Sequence, residues 1–514
     1  RDQPRSRGLG DVYKRQHMIL SKSGYISGLQ CPKRLWLQKN GASKNISNKA
    51  AELLELGHEV GDAALQYFGQ VEKIEQASLF AMVGKTKKLL IQREKAVAEA
   101  AFIYNECYCQ ADVVTIEPDG SLNIFEVKST TRKKPEHVDD MAFQYYVISH
   151  SGYKINMFYH MRLNSDFVGE TGQLNVIDLF ELENVTNELV SMQPFVENKI
   201  NELQKIMTAS CPNCKISECC KSPHECEFIQ HCKNEQSIPE YSVLDIVGMG
   251  WKKKVQLINN GIITMKDYYD EHNKNNVSCN YLMQAAFEAN NIPMFIDKNK
   301  VKKFLSSLQY PLYYLDFESF QQDVPLFDEV KPYQQVPFQY SLHYQLSPRG
   351  PVYHLEYLAD CNNKFEDPRV ALVEQLCSDI PDNATIMAYN ASFEKSCISN
   401  MAKAFLKYSD KLICMTKHFV DLMIPFKNKD VYMRAMKGSY SIKYVLPALF
   451  PNDSKLDYHN LDMVQNGQMA MDAFKKMNSL TEEERQYLRH RLLKYCELDT
   501  YAMVKIVKWL YDHI

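Results

Sequence analysis

The sequence predicts an α/β protein made of several domains, and three observations predict it. Its 514 residues, 45% of them hydrophobic, exceed what one core usually fills. Strand and helix signals alternate from Ile19 to Met207 and again from Tyr310 to the C-terminus. Between these regions lie a cysteine-rich stretch, a polar, linker-like stretch from Lys233 to Tyr241, and a helical stretch from about Ser242 to Asn291. The expected organisation is a domain over 18–235, a connector over 236–300 and a second α/β domain over 305–514. Residues 1–17 are polar, Arg-rich and aperiodic, and read as a non-native leader.

Sixty Lys and Arg against sixty-three Asp and Glu leave a net charge of −3, so the chain as a whole does not attract nucleic acid. Any such binding rests on local patches. No run of about eighteen apolar residues occurs and no signal segment is evident, so a cytoplasmic chain without a membrane partner is expected.

The first domain is read from a hairpin. Asn105 to Thr115 and Leu122 to Thr130 alternate apolar and polar residues around Pro118-Asp119-Gly120. A three-residue loop there makes paired positions sum to 238, which sets Asp112 opposite Glu126 with Lys128 on the same face. Two converging carboxylates suit a hard divalent cation, and a lysine beside them suits charge developing on a phosphate. An exposed face with one ion pair is the plainer alternative. Upstream, Leu53, Leu56, Val60, Ala64 and Tyr67 recur at helical spacing around Gly57-His58-Glu59-Val60-Gly61. Downstream, Ala142-Phe143-Gln144-Tyr145-Tyr146 falls on a predicted helix.

These residues resemble the Asp…Glu-X-Lys core of the restriction-endonuclease-like superfamily, in its RecB-type branch. The resemblance implies a metal-dependent nuclease in which Asp112 and Glu126 hold Mg2+ or Mn2+, Lys128 assists catalysis, and His58 adds a ligand. It makes Gln144 a contact to nucleic acid, although the tyrosine expected four residues later is Ile148.

Much of the cysteine content falls between Cys211 and Cys232, and clustering in such a chain points to metal. Cys220, Cys226 and Cys232 are evenly spaced, and a single early Cys31 stands in Gln30-Cys31-Pro32-Lys33. This set is similar to nucleases of the CRISPR-adaptation and AddB kind, which implies a structural [4Fe–4S] cluster on Cys31, Cys220, Cys226 and Cys232. Zn2+ is the competing reading, since Cys211-Pro212-Asn213-Cys214 has knuckle spacing and could recruit Cys219 with Cys220 or His224.

In the connector, Gly248-Met249-Gly250 precedes a helical Lys252 to Asn259. It resembles a helix-hairpin-helix, in which Gly248, Gly250 and Lys252 meet a phosphate backbone. A plain turn followed by solvated lysines is the alternative.

In the second α/β domain, Tyr313-Tyr314-Leu315-Asp316-Phe317-Glu318 is a strand that sets two acids on one face. Two acids there are costly unless a cation binds them. Tyr495 and Asp499 share a helix face at i, i+4, and strand Thr385 to Tyr389 leads into Asn390-Ala391-Ser392-Phe393-Glu394. The order resembles ribonuclease-H-like exonucleases of the DEDD type. That implies metal ligation by Asp316, Glu318, Glu394 and Asp499, with Tyr495 orienting the attacking water. Glu394 stands where that family usually has aspartate, and Asp421 is a candidate compensating acid. Gly438-Ser439-Tyr440-Ser441-Ile442-Lys443 opens a helix and suits either a phosphate contact or capping.

The expectation is a nuclease with a RecB-type site and a second DEDD-type site, exonuclease-like, with DNA favoured over RNA. The rival is a nucleic-acid-binding or scaffolding protein in which one or both centres are inactive.

Overall fold

Period-two alternation of Ala, Val, Ile and Phe builds the first sheet. The computed structural model describes residues 19–41, 59–273, 281–360, 366–456 and 464–514. His58, Leu53, Leu56 and residues 1–17 lie outside the described residues. The chain divides into two compact units, one of Arg1–Phe167, Asn175–Glu240 and Trp251–Gln256, the other of Val168–Leu174, Tyr241–Gly250 and Leu257–Ile514.

The first unit holds a seven-stranded mixed sheet. Its strands are β1 (Leu20–Ser21), β2 (Glu72–Lys73), β3 (Ala96–Tyr104), β4 (Cys107–Ile116), β5 (Leu122–Lys128), β6 (Ile155–Leu163) and β7 (Phe180–Asn184). They run in the order β2-β3-β4-β5-β6-β7, with β1 paired beside β4. The β4–β5 hairpin has the register read from its turn: Val113 pairs Phe125 and Ile116 pairs Leu122. Gly120, at φ +86°, takes the left-handed position that closes the turn and that a Cβ would strain. On one face, Val97, Phe102, Val114 and Ile124 meet Met141, Val147, Val196 and Ile200 of the helices Pro135–His150 and Thr186–Thr208. Lys22–Gln30 is a further helix, capped by Ser21 and ending at Cys31, and Pro32 then opens the next one. The stretch expected as a linker begins inside structure, because Lys233 to Glu235 finish the helix Ile229–Glu235.

The second unit holds two sheets among the described residues. A small one pairs β8 (Met294–Ile296) with β14 (Val431–Met433). The larger joins β9 (Leu312–Gln321), β10 (Gln335–Gln345), β11 (Tyr353–Leu358), β12 (Thr385–Ala388) and β13 (Phe419–Asp421) in the order β11-β10-β9-β12-β13. β10 is antiparallel to both neighbours, while β12 is parallel to β9 and β13. β9 is central and buried on both faces, which explains its nearly unbroken apolar run. The helix Glu482–Asp512 starts at a Thr481/Glu484 capping box and packs on β9 and β10. Gln339 of β10 donates to the Leu492 carbonyl at 2.8 Å, and the Ser341 and Thr500 hydroxyls meet at 2.7 Å. These bonds set the height of the helix against the strands. No helix among the described residues is long and apolar enough to cross a membrane.

Candidate metal centres

The β4–β5 register brings Asp112, Glu126 and Lys128 to one place, and helices supply two partners that strand spacing does not reveal. Lys128 Nζ lies 2.7 Å from Glu126 Oε1 and 2.6 Å from Asp140 Oδ2 on the helix Pro135–His150. Lys22 Nζ, at the first turn of its helix, lies 2.9 Å from the same Glu126 oxygen. Glu126 is buried, and its Oε2 has no hydrogen-bond partner. Asp112 Oδ2 accepts the Val127 N–H at 2.7 Å.

Burial, and then the Glu126 carboxylate, push the Asp112 carboxyl up to about 7, although Lys22 and Lys128 pull the other way. Asp140 is held well below the usual carboxylate range, because the two lysines outweigh its burial. Both lysines, for their part, are held protonated by the surrounding carboxylates against the cost of burial. Three acids and two bases thus leave one carboxylate, Asp112, without a cation of its own.

Asp112 and Lys128 line a cleft of about 200 Å3 together with Asp62, Lys73 and Glu99. Glu99 stands in β3 between the pairs Ala98–Val113 and Ala100–Ala111, opposite Asp112, at φ +56°. A side chain other than glycine seldom adopts that conformation in a strand. Gln144, expected to contact a substrate, is fully buried and donates to Asp140 Oδ1 at 3.3 Å. Helical spacing from Asp140 to Gln144 turns the amide inward, so here it steadies a carboxylate.

In the second unit, β9 carries Asp316 and Glu318, and their oxygens and Cys496 Sγ all lie within 4.8 Å of one another. Cys496 Sγ is 3.8 Å from Asp316 Oδ2. Burial, followed by the Asp499 charge, raises both the Asp316 and Glu318 carboxyls well above their ordinary range. Lys443 works against this at Glu318, and its helix Ile442–Leu449 opens from the Gly438–Lys443 segment. Glu394, in the first turn of the helix Ser392–Ala404, is pushed up to about 8, chiefly by burial, and its Oε2 has no hydrogen-bond partner. Tyr495 is buried, and its hydroxyl is held protonated by burial and by the charges of Asp499, Glu318 and Asp316. Asp421 Oδ1 accepts the N–H groups of Asn390 at 3.0 Å and Met423 at 2.9 Å. Asp421 thus fixes the chain after β13, and its charge raises Glu394.

Cys31, Cys220, Cys226 and Cys232 line one small cavity, with Cys214 beside them. Cys219 Sγ lies 3.0 Å from Ser217 Oγ, and Cys211 is exposed. His224 lies outside the cavity lining, its Nε2 3.8 Å from Glu136. Gln30 ties the two ends of this region by donating to the carbonyls of Cys219 at 2.6 Å and His224 at 2.7 Å.

In the connector, Gly248 has φ +81° and its carbonyl accepts the Tyr281 hydroxyl at 3.3 Å. Gly250 precedes the helix Trp251–Asn259, where exposed Lys252 lies 3.7 Å from Glu218.

Fold and side chains together define an α/β protein of two units, with clustered carboxylates in each and clustered thiols in the first. Residues 313–441 match a family described as "Domain of unknown function (DUF2779)". That match takes in Asp316, Glu318, Glu394 and Gly438. The chain is 27% identical over 237 residues to "Uncharacterized protein MG366" of Mycoplasma genitalium, covering 42% of this chain and 34% of that protein. It is also 27% identical over 232 residues to the homologue in Mycoplasma pneumoniae, with 42% and 34% covered. A third relative, "Uncharacterized protein UU173" of Ureaplasma parvum, is 27% identical over 215 residues, with 38% and 30% covered. The chain thus spans about a third of the length of the curated relatives it matches.

Proposed function

We propose that this chain is a metal-dependent nuclease, exonuclease-like and favouring DNA over RNA. In this reading a RecB-type centre lies in the first unit and a DEDD-type centre in the second. The observation that carries the reading is the partly compensated carboxylate group at Asp112 and Glu126, with Lys128 in the same cleft. Glu126 Oε2 is buried without a partner, and Asp112 resists ionisation at neutral pH. Both are relieved by a divalent cation, and all-oxygen donors suit Mg2+ or Mn2+. The fold supports the finer reading too. Adjacent strands β4 and β5 of the first mixed sheet carry the Asp and the Glu-X-Lys, as a restriction-endonuclease-like fold would require, and the larger sheet of the second unit has its acid-bearing strand β9 at the centre, under the helix Glu482–Asp512, as a ribonuclease-H-like fold would.

Asp112 and Glu126 would hold the ion in the first centre, and Asp316, Glu318, Glu394 and Asp499 in the second. A bound Mg2+ or Mn2+ supplies the positive charge that polarises a phosphodiester and eases deprotonation of water. Lys128, protonated and anchored on Asp140, offers N–H donors to phosphate oxygens as they gain charge. In the second centre the Tyr495 hydroxyl stays protonated, so it orients water by hydrogen bonding and does not act as a base. Shared lining of one cavity by Cys31, Cys220, Cys226 and Cys232 supports a [4Fe–4S] cluster over the zinc alternative built on Cys211 and Cys214 with Cys219 and Cys220 or His224, because Cys211 is exposed and neither it nor His224 lines that cavity.

End-labelled single- and double-stranded DNA and RNA, incubated with Mg2+ or Mn2+, test the proposal. Cutting by the wild type should fall by about a hundredfold or more in Lys128→Ala, Asp316→Ala or both. Undiminished cutting by the double variant Lys128→Ala/Asp316→Ala, or tight binding without cutting in the wild type, refutes it.

A further inference from the structure

We propose that His343, His354 and Glu497 form a third metal site, one that takes a borderline transition-metal ion, Zn2+ above all. It is separate from the carboxylate centres and does not depend on the nuclease reading. His343 of β10 and His354 of β11 are directly paired across the antiparallel ladder, which puts both imidazoles on one face. Their rings stack with centroids 4.4 Å apart. Glu497 approaches from the helix Glu482–Asp512, and one donor atom from each of the three residues lies within 4.8 Å of the others. Zn–N bonds of about 2.0 Å place tetrahedral donors roughly 3.3 Å apart, so binding would draw the three donors together by at most about 1.5 Å.

Hydrogen bonding prepares the rings in the way metal-binding histidines usually require. His343 Nδ1 is engaged by the Thr500 hydroxyl at 2.8 Å, and His354 Nε2 by the Ser341 hydroxyl at 2.9 Å. Ser341 and Thr500 are themselves joined at 2.7 Å, so one pair of hydroxyls fixes both rings. The opposite nitrogen of each ring, His343 Nε2 and His354 Nδ1, has no hydrogen bond among the described residues. Lone pairs presented by rings whose other nitrogens are tied down are the usual arrangement around bound zinc. Lys494 donates to Glu497 Oε2 at 2.5 Å, which holds the carboxylate in place. Two imidazoles and a carboxylate form an open His2Glu set, matched to Zn2+ and poorly matched to Mg2+. Glu497 lies two residues from Asp499, so an ion here would pin the helix that carries the DEDD-type acid to strands β10 and β11.

The test uses the full chain, purified anaerobically with its cysteine site loaded. The protein is equilibrated with ZnCl2 and dialysed, and its zinc is then counted by mass spectrometry. Wild type should retain about one equivalent more than His354→Gln or Glu497→Gln. His354 is only half-buried, and its replacement leaves the His343–Thr500 bond in place. A second readout needs no variant. Carbethoxylation of His354 by diethyl pyrocarbonate, mapped by peptide mass spectrometry, should fall several-fold when Zn2+ is added. Equal zinc in folded variants and wild type overturns the site. So does zinc-independent modification of His354, whatever the count, and this second readout decides the matter if a variant does not fold.

Discussion

Asp112 makes the carboxylate reading measurable without any substrate. In the folded, metal-free protein its carboxyl titrates at about 7, against 3.8 for the unconstrained side chain. Between those values the folded state keeps a proton that the unfolded state has lost, so stability falls as pH rises through this window. Each tenfold change in proton affinity is worth about 1.4 kcal/mol, so the full effect is at most about 4 kcal/mol above pH 7, less where the cleft admits water. Asp112→Asn removes the titration and retains an oxygen for the Val127 N–H. Urea unfolding in chelator at pH 5 and pH 8, followed by circular dichroism, gives the comparison. Wild type should lose more stability than Asp112→Asn between the two, by a few kcal/mol. Any fixed cost of the amide cancels in the double difference, as do the other raised carboxyls. Mn2+ at pH 8 should restore most of the loss in wild type and little in the variant. Parallel pH dependences in the two proteins would refute the account of Asp112 as a carboxylate that lacks a cation.

Glu394, pushed up to about 8 in the metal-free protein, must lose that proton before it can hold an ion. In a Lys128→Ala background the remaining metal-dependent cutting should therefore climb between pH 7 and 9, and Glu394→Gln should flatten the profile; a flat profile before substitution refutes this. Gly438 has φ +82°, and a Cβ there would stand 2.2 Å from Gln284 Oε1, so Gly438→Ala should cost about 2–4 kcal/mol in thermal or urea unfolding. An unchanged midpoint would contradict that geometry. Anaerobically purified protein should be brown and Cys226→Ala should bleach it, whereas colourless wild type with stoichiometric zinc at the thiols would favour the other metal.

The sequence revealed what neighbouring residues determine. The register of β4 and β5 followed from Pro118-Asp119-Gly120 and two-residue alternation, because a tight turn leaves a hairpin no other pairing. The same holds for Asp316 with Glu318 on β9, and for Tyr495 with Asp499 on a helix. Lys22 and Asp140 were not legible, because each reaches Glu126 or Lys128 from a helix whose docking is a tertiary event. Asp62 was within reach, since it falls four positions after His58 in a sequence of helical periodicity. Glu99 was not, because no composition signal marks a left-handed residue inside a strand. Gln144 falls on the expected helix, but its burial against the Asp140 carboxylate follows from packing that spacing alone does not reveal. Ser341 and Thr500, which orient two histidines, are separated by 159 positions and carry no motif.

Lys22 and Cys31 bracket a single helix of nine residues, the lysine at its start and the cysteine as its C-terminal cap. At about 1.5 Å and 100° per residue, such a helix fixes both the distance and the phase between them. Deleting or inserting one residue between Lys22 and Cys31 would turn the ammonium about 100° away from Glu126 while the thiol stayed in its cavity. Adding a whole turn would restore the phase and misplace the charge by about 5 Å. The spacing of nine is therefore a length constraint. Outward-facing positions in between can vary in identity, but the count cannot, and gaps in an alignment of relatives should avoid this interval.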